Sequence, residues 1–502
     1  MIVTVSAALA WCLLIASTAL AATYYVDSAE GDDAKAGTSE AAAWRTLGKL
    51  NATTFAPGDR VFLKRGGQWT GRLWPKGSGE EGRPIVLGAY GDGKRPAIHA
   101  EGKHFEAIHL CNQQHWEIVG LEATNLGPDG PAPRCGVRVL GENGGLLSHV
   151  YLRDLDVHDV NGHNREGRDS GKCNAGILFD VIGKETRTSF DDVLIEGCHV
   201  HQCDRSAIKT WTDWWRHGGW APYTKLVIRG NRVDDIAGDG IIACMADAPL
   251  IEHNVASRCN ARSGDWNAAI WVWETDDAIM QFNEAFGTKT TKDGQGFDID
   301  GMSRRTIVQY NYSHDNEGGF MLICETGDPD PGYFNDGSIV RYNISQNDGA
   351  RIFQVGGKVT NAHIYNNTIF VGEEAGNPLM ILHNENGVWA DGVRYSNNIF
   401  INHGTGGYEL GESANNVFDH NLFFGRHHVS ERDDPHKLAA DPKLVAPGSG
   451  RTGIDTVGGY RLQADSPCVD SGAPTAGSGG RDFWGNPVPA GDAPDRGAHE
   501  RS

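Results

Sequence analysis

The feature that most constrains the fold is an asparagine that returns with similar neighbours along the second half of the chain. It occupies one position of VIRGNRV, LIEHNVA, IMQFNEA, IVQYNYS, IVRYNIS, HIYNNTI, RYSNNIF and VFDHNLF, as Asn231, Asn254, Asn283, Asn311, Asn343, Asn367, Asn398 and Asn421. The spacing of about 23 to 32 residues is that of a solenoid coil. A second family of short strands lies between these segments: AIKTW, GIIACM, AIWVW, GFDID, GFMLI and RIFQV. Aligning their apolar positions sets Ile208, Ile241, Ile270, Phe297, Phe320 and Ile352 facing inward. Two strand registers per coil, with turn residues between, predict an all-β, right-handed parallel β-helix. Each coil is too short to bury a core alone, so stacking must supply it. The asparagine column is read as structural, at equivalent bends where Asn tolerates left-handed backbone and bonds to the next coil.

Residues Ile2–Ala22 carry no charged side chain and end in the small-residue pattern Ala19-Leu20-Ala21. Residues 1–21 are therefore expected to be a signal peptide, and the protein secreted or periplasmic. No later stretch approaches the roughly 20 apolar residues of a membrane span. Residues 22–100 are expected to form an N-terminal cap and first coils, 101–425 the β-helix coils, and 426–502 a C-terminal capping segment. That last segment is rich in Gly, Pro and Asp and would drape over the last coils, closing their open edges. Its Asp470, Asp482, Asp495 and Glu500 are expected to bond backbone groups there.

The net charge of −20 excludes a nucleic-acid partner, because no basic surface exists to neutralise phosphates. Nine cysteines follow Cys12 without regular spacing, which is neither a disulfide framework nor a cysteine zinc site. The chain is expected to act as a monomer.

Chemistry concentrates between Ala269 and Asn316. A strand sends alternate side chains to opposite faces. With Ile270, Val272, Phe297 and Ile299 inward, Trp271, Trp273, Asp298 and Asp300 share the solvent side. Extending the alignment gives one outward column of Lys209, Ile242, Trp271, Asp298 and Met321, and a second of Trp211, Cys244, Trp273, Asp300 and Ile323. Neighbouring coils lie about 4.8 Å apart, and i, i+2 residues about 6.6 Å. Two carboxylates at such distances suit general acid and base or nucleophile work on a glycosidic bond. The candidate catalytic residues are therefore Asp298 and Asp300, supported by Glu274. Trp271, Trp273 and Trp211 would stack sugar rings, with Lys209 and Glu325 also touching substrate. The insertion from Thr212 to Pro222 brings Trp214, Trp215 and Trp220 close by.

The same acids admit a second chemistry. Asp276 and Asp277, with Asp298, Asp300 and Glu274, offer enough oxygens for a calcium ion. Calcium would support β-elimination by a uronate lyase, with Lys209 the nearest candidate base; otherwise no cofactor is expected. A third reading is a non-catalytic glycan-binding protein. All three place a polysaccharide or oligosaccharide on this face.

The opening YYVDSAEGDDAKAGTS, the asparagine-bearing coils and the closing SPCVDSG and APDRGAHE resemble secreted bacterial right-handed β-helix proteins of the pectate-lyase-like superfamily. The resemblance covers nearly all of the chain after the signal segment and implies the fold. It leaves the reaction open, since that superfamily holds lyases, glycoside hydrolases, epimerases and adhesins. The polygalacturonase set of motifs is absent. The D-P-H pattern of alginate epimerases occurs only as Asp434-Pro435-His436, in the tail. No family catalytic residue carries over by motif.

Overall fold

The computed structural model describes residues 21–130, 132–163, 173–290, 292–325 and 332–501. The expected signal peptide lies outside the described residues, save for its last position. Among the described residues no helix is long and apolar enough to cross a membrane.

The chain winds as a right-handed parallel β-helix whose coils have three faces. One coil runs Asp239–Asp247 on the first face, Leu250–Glu252 on the second and Val255–Ser257 on the third, then returns to the first face at Ile270–Asp276. Each strand pairs in parallel with its counterpart one coil on: Ile241 with Ile270, Leu250 with Ile279, Val255 with Glu284. The first and second faces join at a corner into one 28-stranded sheet, and the third is a separate 14-stranded sheet. Pairing begins at Thr23–Val26 on Arg60–Lys64, so the first coils fall within residues 22–100. Inward aliphatics such as Ile241, Val272 and Ile299 have no solvent exposure. Their burial from coil to coil is the main stabilising term, as in other solenoids.

Three strands per coil, not two, explain the repeats. Each asparagine segment is itself a pair of strands meeting at a bend: in LIEHNVA, Leu250–Glu252 ends one face and Val255–Ser257 starts the next. The asparagines form a buried ladder. Asn283 accepts from the N–H and Nδ2 of Asn254 (3.0 and 3.0 Å) and donates through its own N–H and Nδ2 to Asn311 (2.9 and 3.0 Å). Nδ2 also donates to a core-strand carbonyl, here that of Ile251 at 2.9 Å. The left-handed geometry expected of the asparagines belongs instead to the residue before each one. Gly230, His253, Phe282, Tyr310, Tyr342, Asn366, Asn397 and His420 all have φ between 51° and 63°. That bend turns the following amide inward. For bulky residues it costs on the order of 1–2 kcal/mol, which the ladder bonds offset.

The ladder ends in the tail. Asp434 Oδ2 accepts from the N–H and Nδ2 of Asn421, at 2.8 and 2.9 Å. Asp434-Pro435-His436 is thus a cap on the asparagine column. The tail then runs back along the third face as well as covering the last coil. Gly450 N–H donates to Gln346 and Gly453 N–H to Glu284, while Tyr460 and Leu462 bury against Tyr312 and Ile344. Asp470, Asp482, Asp495 and Glu500 accept backbone N–H groups there, from Ala493, Trp484, Arg501 and Ala490 respectively.

Candidate active site

On the first face the register fixes which side chains meet. Trp271 pairs with Asp298, Asp298 with Leu322 and Leu322 with Gln354. The alignment of Phe297 with Phe320 was therefore one residue off. Phe297 stands opposite Met321, and Ile299 opposite Ile323, so Met321 and Ile323 are core. Leu322 and Cys324 continue the two outward columns in their place. The slip is invisible in GFMLI because all its last four residues are apolar. The remaining outward residues fall where alternation put them.

These columns line a cavity of about 780 Å³. Five carboxylate residues line it: Asp293, Asp298, Asp300, Glu385 and Asp265, the last paired with Arg205. Asp298 is nearly covered between the neighbouring coils. Asp300 Oδ1 accepts from the Gly301 N–H (2.7 Å) and from the Cys324 thiol (3.2 Å), which fix its orientation. Burial, together with Asp300, Asp298 and Asp293, pushes the Cys324 thiol far up, so it remains a neutral donor. Asp293 was missed in the sequence because it lies in the loop before the strand, outside any alternating pattern. Arg351 holds that loop, donating to the Asp293 carbonyl at 3.1 Å.

Aromatic rings line the cavity beside the carboxylates, one or more coils before them. Trp211 and Trp273 lie with centroids 5.7 Å apart, and Lys209 Nζ sits 4.7 Å from the Trp211 ring. Lys209 is almost wholly buried, as is Trp271, whose Nε1–H donates to Asp239 at 3.0 Å. A ring missed in the sequence, Trp266, stands 55% exposed at the mouth with Lys292 Nζ 5.0 Å from it. Its loop is anchored by the fully buried Arg205, which donates to Asp265 (2.6 Å) and Ser263 (3.0 Å). Deeper in the cleft, Gln295, Gln354 and Asn384 run as an amide chain, with bonds of 2.9 Å.

Glu274 and Glu325 do not line the cavity. Both are fully buried beneath the turn that follows Asp300. Glu325 Oε2 accepts the Met302 N–H at 2.8 Å, and Glu274 Oε2 accepts the Arg216 N–H at 2.9 Å. Burial raises the Glu274 carboxyl to about 7, and the nearby Glu325 adds to the rise. Glu274 has φ 51°, which swings its side chain off the outward column and under the sheet corner. The structure thus gives both glutamates a place in the support of the turn. A Cβ on Gly301 would meet Glu325 Oε1 at 2.6 Å, so only glycine allows this approach.

Asp276 and Asp277 also point elsewhere. Asp276 takes Arg216 (2.7 Å) and Arg304 (3.1 Å), and Asp277 takes both ends of Arg305 (2.7 Å each). Guanidinium groups thus engage the Asp276 and Asp277 carboxylates, two of the five acids offered for calcium. Arg216 comes from the Thr212–Pro222 insertion, and also donates to the Met302 carbonyl at 2.9 Å. Trp220 covers its guanidinium at 4.1 Å, so this insertion braces the corner beneath the cleft.

No family model matches the chain. It is 28% identical to the lacto-N-biosidase of Bifidobacterium longum subsp. longum over 606 aligned positions, spanning 96% of this chain and 36% of that protein. The chain therefore spans about a third of that curated relative's length. Among solved structures, the GH136 lacto-N-biosidase from Eubacterium ramulus superposes with a TM-score of 0.61 at 24% identity, covering 80% of this chain and 67% of that one. The complex of XylC with xylose superposes at 0.52 and 11% identity, covering 96% and 98%. These likenesses are to the fold, a right-handed parallel β-helix. Within it, the cleft on the first face is where carboxylates, tryptophans and a ligand-sized cavity coincide.

Proposed function

We propose that this chain is a glycoside hydrolase whose reaction takes place in the first-face cleft. The observation that carries the reading is the convergence of Asp293, Asp298 and Asp300 on one cavity walled by Trp211, Trp271 and Trp273. Glycosidic hydrolysis needs one carboxylic acid to protonate the leaving oxygen. It needs a second carboxylate to attack the anomeric carbon or to activate water. The cleft supplies these groups, while Trp211, Trp273 and Trp266 offer ring faces on which sugars stack. The likeness to a lacto-N-biosidase supports the same reaction class and makes lacto-N-biosyl glycosides the first substrates to try. The lyase alternative gains less support, since the extra acids it would use for calcium are engaged by Arg216, Arg304 and Arg305.

The test is incubation with lacto-N-biosyl glycosides and a wider oligosaccharide panel, with products read by mass. Hydrolysis adds one water per bond cleaved and leaves saturated ends. Asp298→Asn, Asp300→Asn and Asp293→Asn are compared with the wild type. At least two of the three should lose about 10²–10⁴-fold in kcat. Unsaturated products, or full activity in all three variants, would overturn the reading.

A further inference from the structure

On the third face, well before the ladder begins, the register builds a second cluster that the cleft does not use. Asp156 pairs with Glu122 on one side and His199 on the other; His158 pairs with Thr124 and His201. Outward side chains from three successive coils thus stand in two adjoining columns. His201 Nε2 lies 3.2 Å from Asp156 Oδ1, and His158 Nε2 lies 3.4 Å from Glu122 Oε1. The His158 and His201 rings stack with centroids 4.8 Å apart and planes at 14°. One ligand atom each from Asp156, His158 and His201 falls within 4.8 Å of the other two.

The far side of each ring is held. His158 Nδ1 lies 2.9 Å from Asp159 Oδ2, and His201 Nδ1 lies 3.2 Å from Gln202 Oε1. Asp159 and Gln202 both take left-handed backbone, φ 50° and 51°, which brings their side chains back beside the preceding strand. A histidine whose Nδ1–H donates outward keeps its lone pair on Nε2, the arrangement of a metal-ligating imidazole with its supporting carboxylate or amide. The Nε2 atom of His201 faces Asp156, and a divalent cation beside it could be shared by Asp156, His158 and His201. Donor atoms around a tetrahedral zinc, bonded at about 2.0–2.1 Å, lie roughly 3.3 Å from one another. The 3.2 Å between His201 Nε2 and Asp156 Oδ1 matches that edge.

The geometry points to a divalent transition-metal site formed by Asp156, His158 and His201, with water completing the coordination. Imidazole with carboxylate suits zinc, and calcium poorly. The three side chains are each about a quarter exposed, so the ion enters from solvent. Its place in the fold gives it a task. The asparagine ladder starts at Asn231, whose Oδ1 accepts the Cys198 N–H, and the coils carrying this cluster precede it. A metal bridging Asp156–Val160 and His199–Cys203 would staple two coils that lack the ladder. Arg232 and Asp234, one coil further, are the next charged residues in the two columns.

The full chain, stripped with chelator, is titrated with Zn²⁺ by calorimetry and melted with and without the ion. Saturable binding of one ion at this cluster and a raised Tm are expected. Asp156→Asn, and separately His158→Ala with His201→Ala, should weaken binding more than about 10-fold. Without metal, their circular dichroism should match the wild type. His436→Ala removes a ligand of the other histidine cluster, Asp419–His420–His436, and should leave this binding intact. If the double variant does not fold, Asp156→Asn decides, together with the visible absorption of the Co²⁺-loaded wild type, which should have the intensity of a four-coordinate nitrogen and oxygen site. Absence of saturable Zn²⁺ binding, unchanged affinity in Asp156→Asn, or loss of binding only in His436→Ala would each overturn the site.

Discussion

Replacing Glu274 by Gln tests how the cleft is supported. The glutamate is fully buried, accepts the Arg216 N–H, and lies near Glu325; its other oxygen, Oε1, has no hydrogen-bond partner among the described residues. Its carboxyl is raised from 4.5 to about 7 by burial first, then by Glu325. The folded protein therefore keeps a proton that the unfolded chain loses once the pH passes its ordinary value. Stability falls as pH rises between those two values, and the full cost stands above about 7. At 1.36 kcal/mol per unit that cost is about 3 kcal/mol. Glutamine retains the acceptor for Arg216 and has no proton to lose. Glu274→Gln should therefore match the wild type near pH 4.5 and exceed it by up to about 3 kcal/mol near pH 8. Urea unfolding midpoints of both proteins at the two pH values measure the difference. A variant no more stable than the wild type at the higher pH, or equally shifted at both, would refute the argument.

Two further substitutions probe the scaffold. Asn311→Ala removes the acceptor of two bonds from Asn283 and the donor to Met280 and Asn343, leaving buried polar groups unpaired. A loss of about 3–5 kcal/mol is expected in chemical unfolding, well beyond an average point substitution. Gly301→Ala would push Glu325 off the Met302 N–H and move the turn that orients Asp300. It should cut kcat more than KM while leaving the circular dichroism spectrum of the strands unchanged.

The fold was legible because its repeat is carried by one polar residue among apolar ones, which marks register even where spacing varies. The third face was hidden because each asparagine segment contains two strands and a bend of one residue. Left-handed residues such as Phe282 and Tyr310 announce no turn by type, since only the tertiary ladder makes their conformation affordable. In the cleft, WVW and FDID were placed on the outward columns because aromatic and acidic residues alternate with aliphatic ones. GFMLI offers no such contrast, so its register slipped by one. Alternation also says nothing past a strand's end. Glu274, Asp276 and Asp277 lie at and beyond a left-handed residue, and their burial or pairing depends on Arg216 from a distant insertion and on Arg304 and Arg305 from the next coil. Asp293 and Trp266 sit in loops, where no periodicity reports their direction.

The central claim is that carboxylates of the first-face cleft hydrolyse a glycosidic bond. It is met most directly by running the reaction in ¹⁸O-labelled water with a cleavable glycoside and weighing the products of the wild type, Asp298→Asn and Asp300→Asn. The claim predicts one ¹⁸O in the new reducing end with wild-type protein, and a product yield falling by about 10²–10⁴-fold in an affected variant. A product without the label and with an unsaturated end, or cleavage undiminished in both variants, would contradict it.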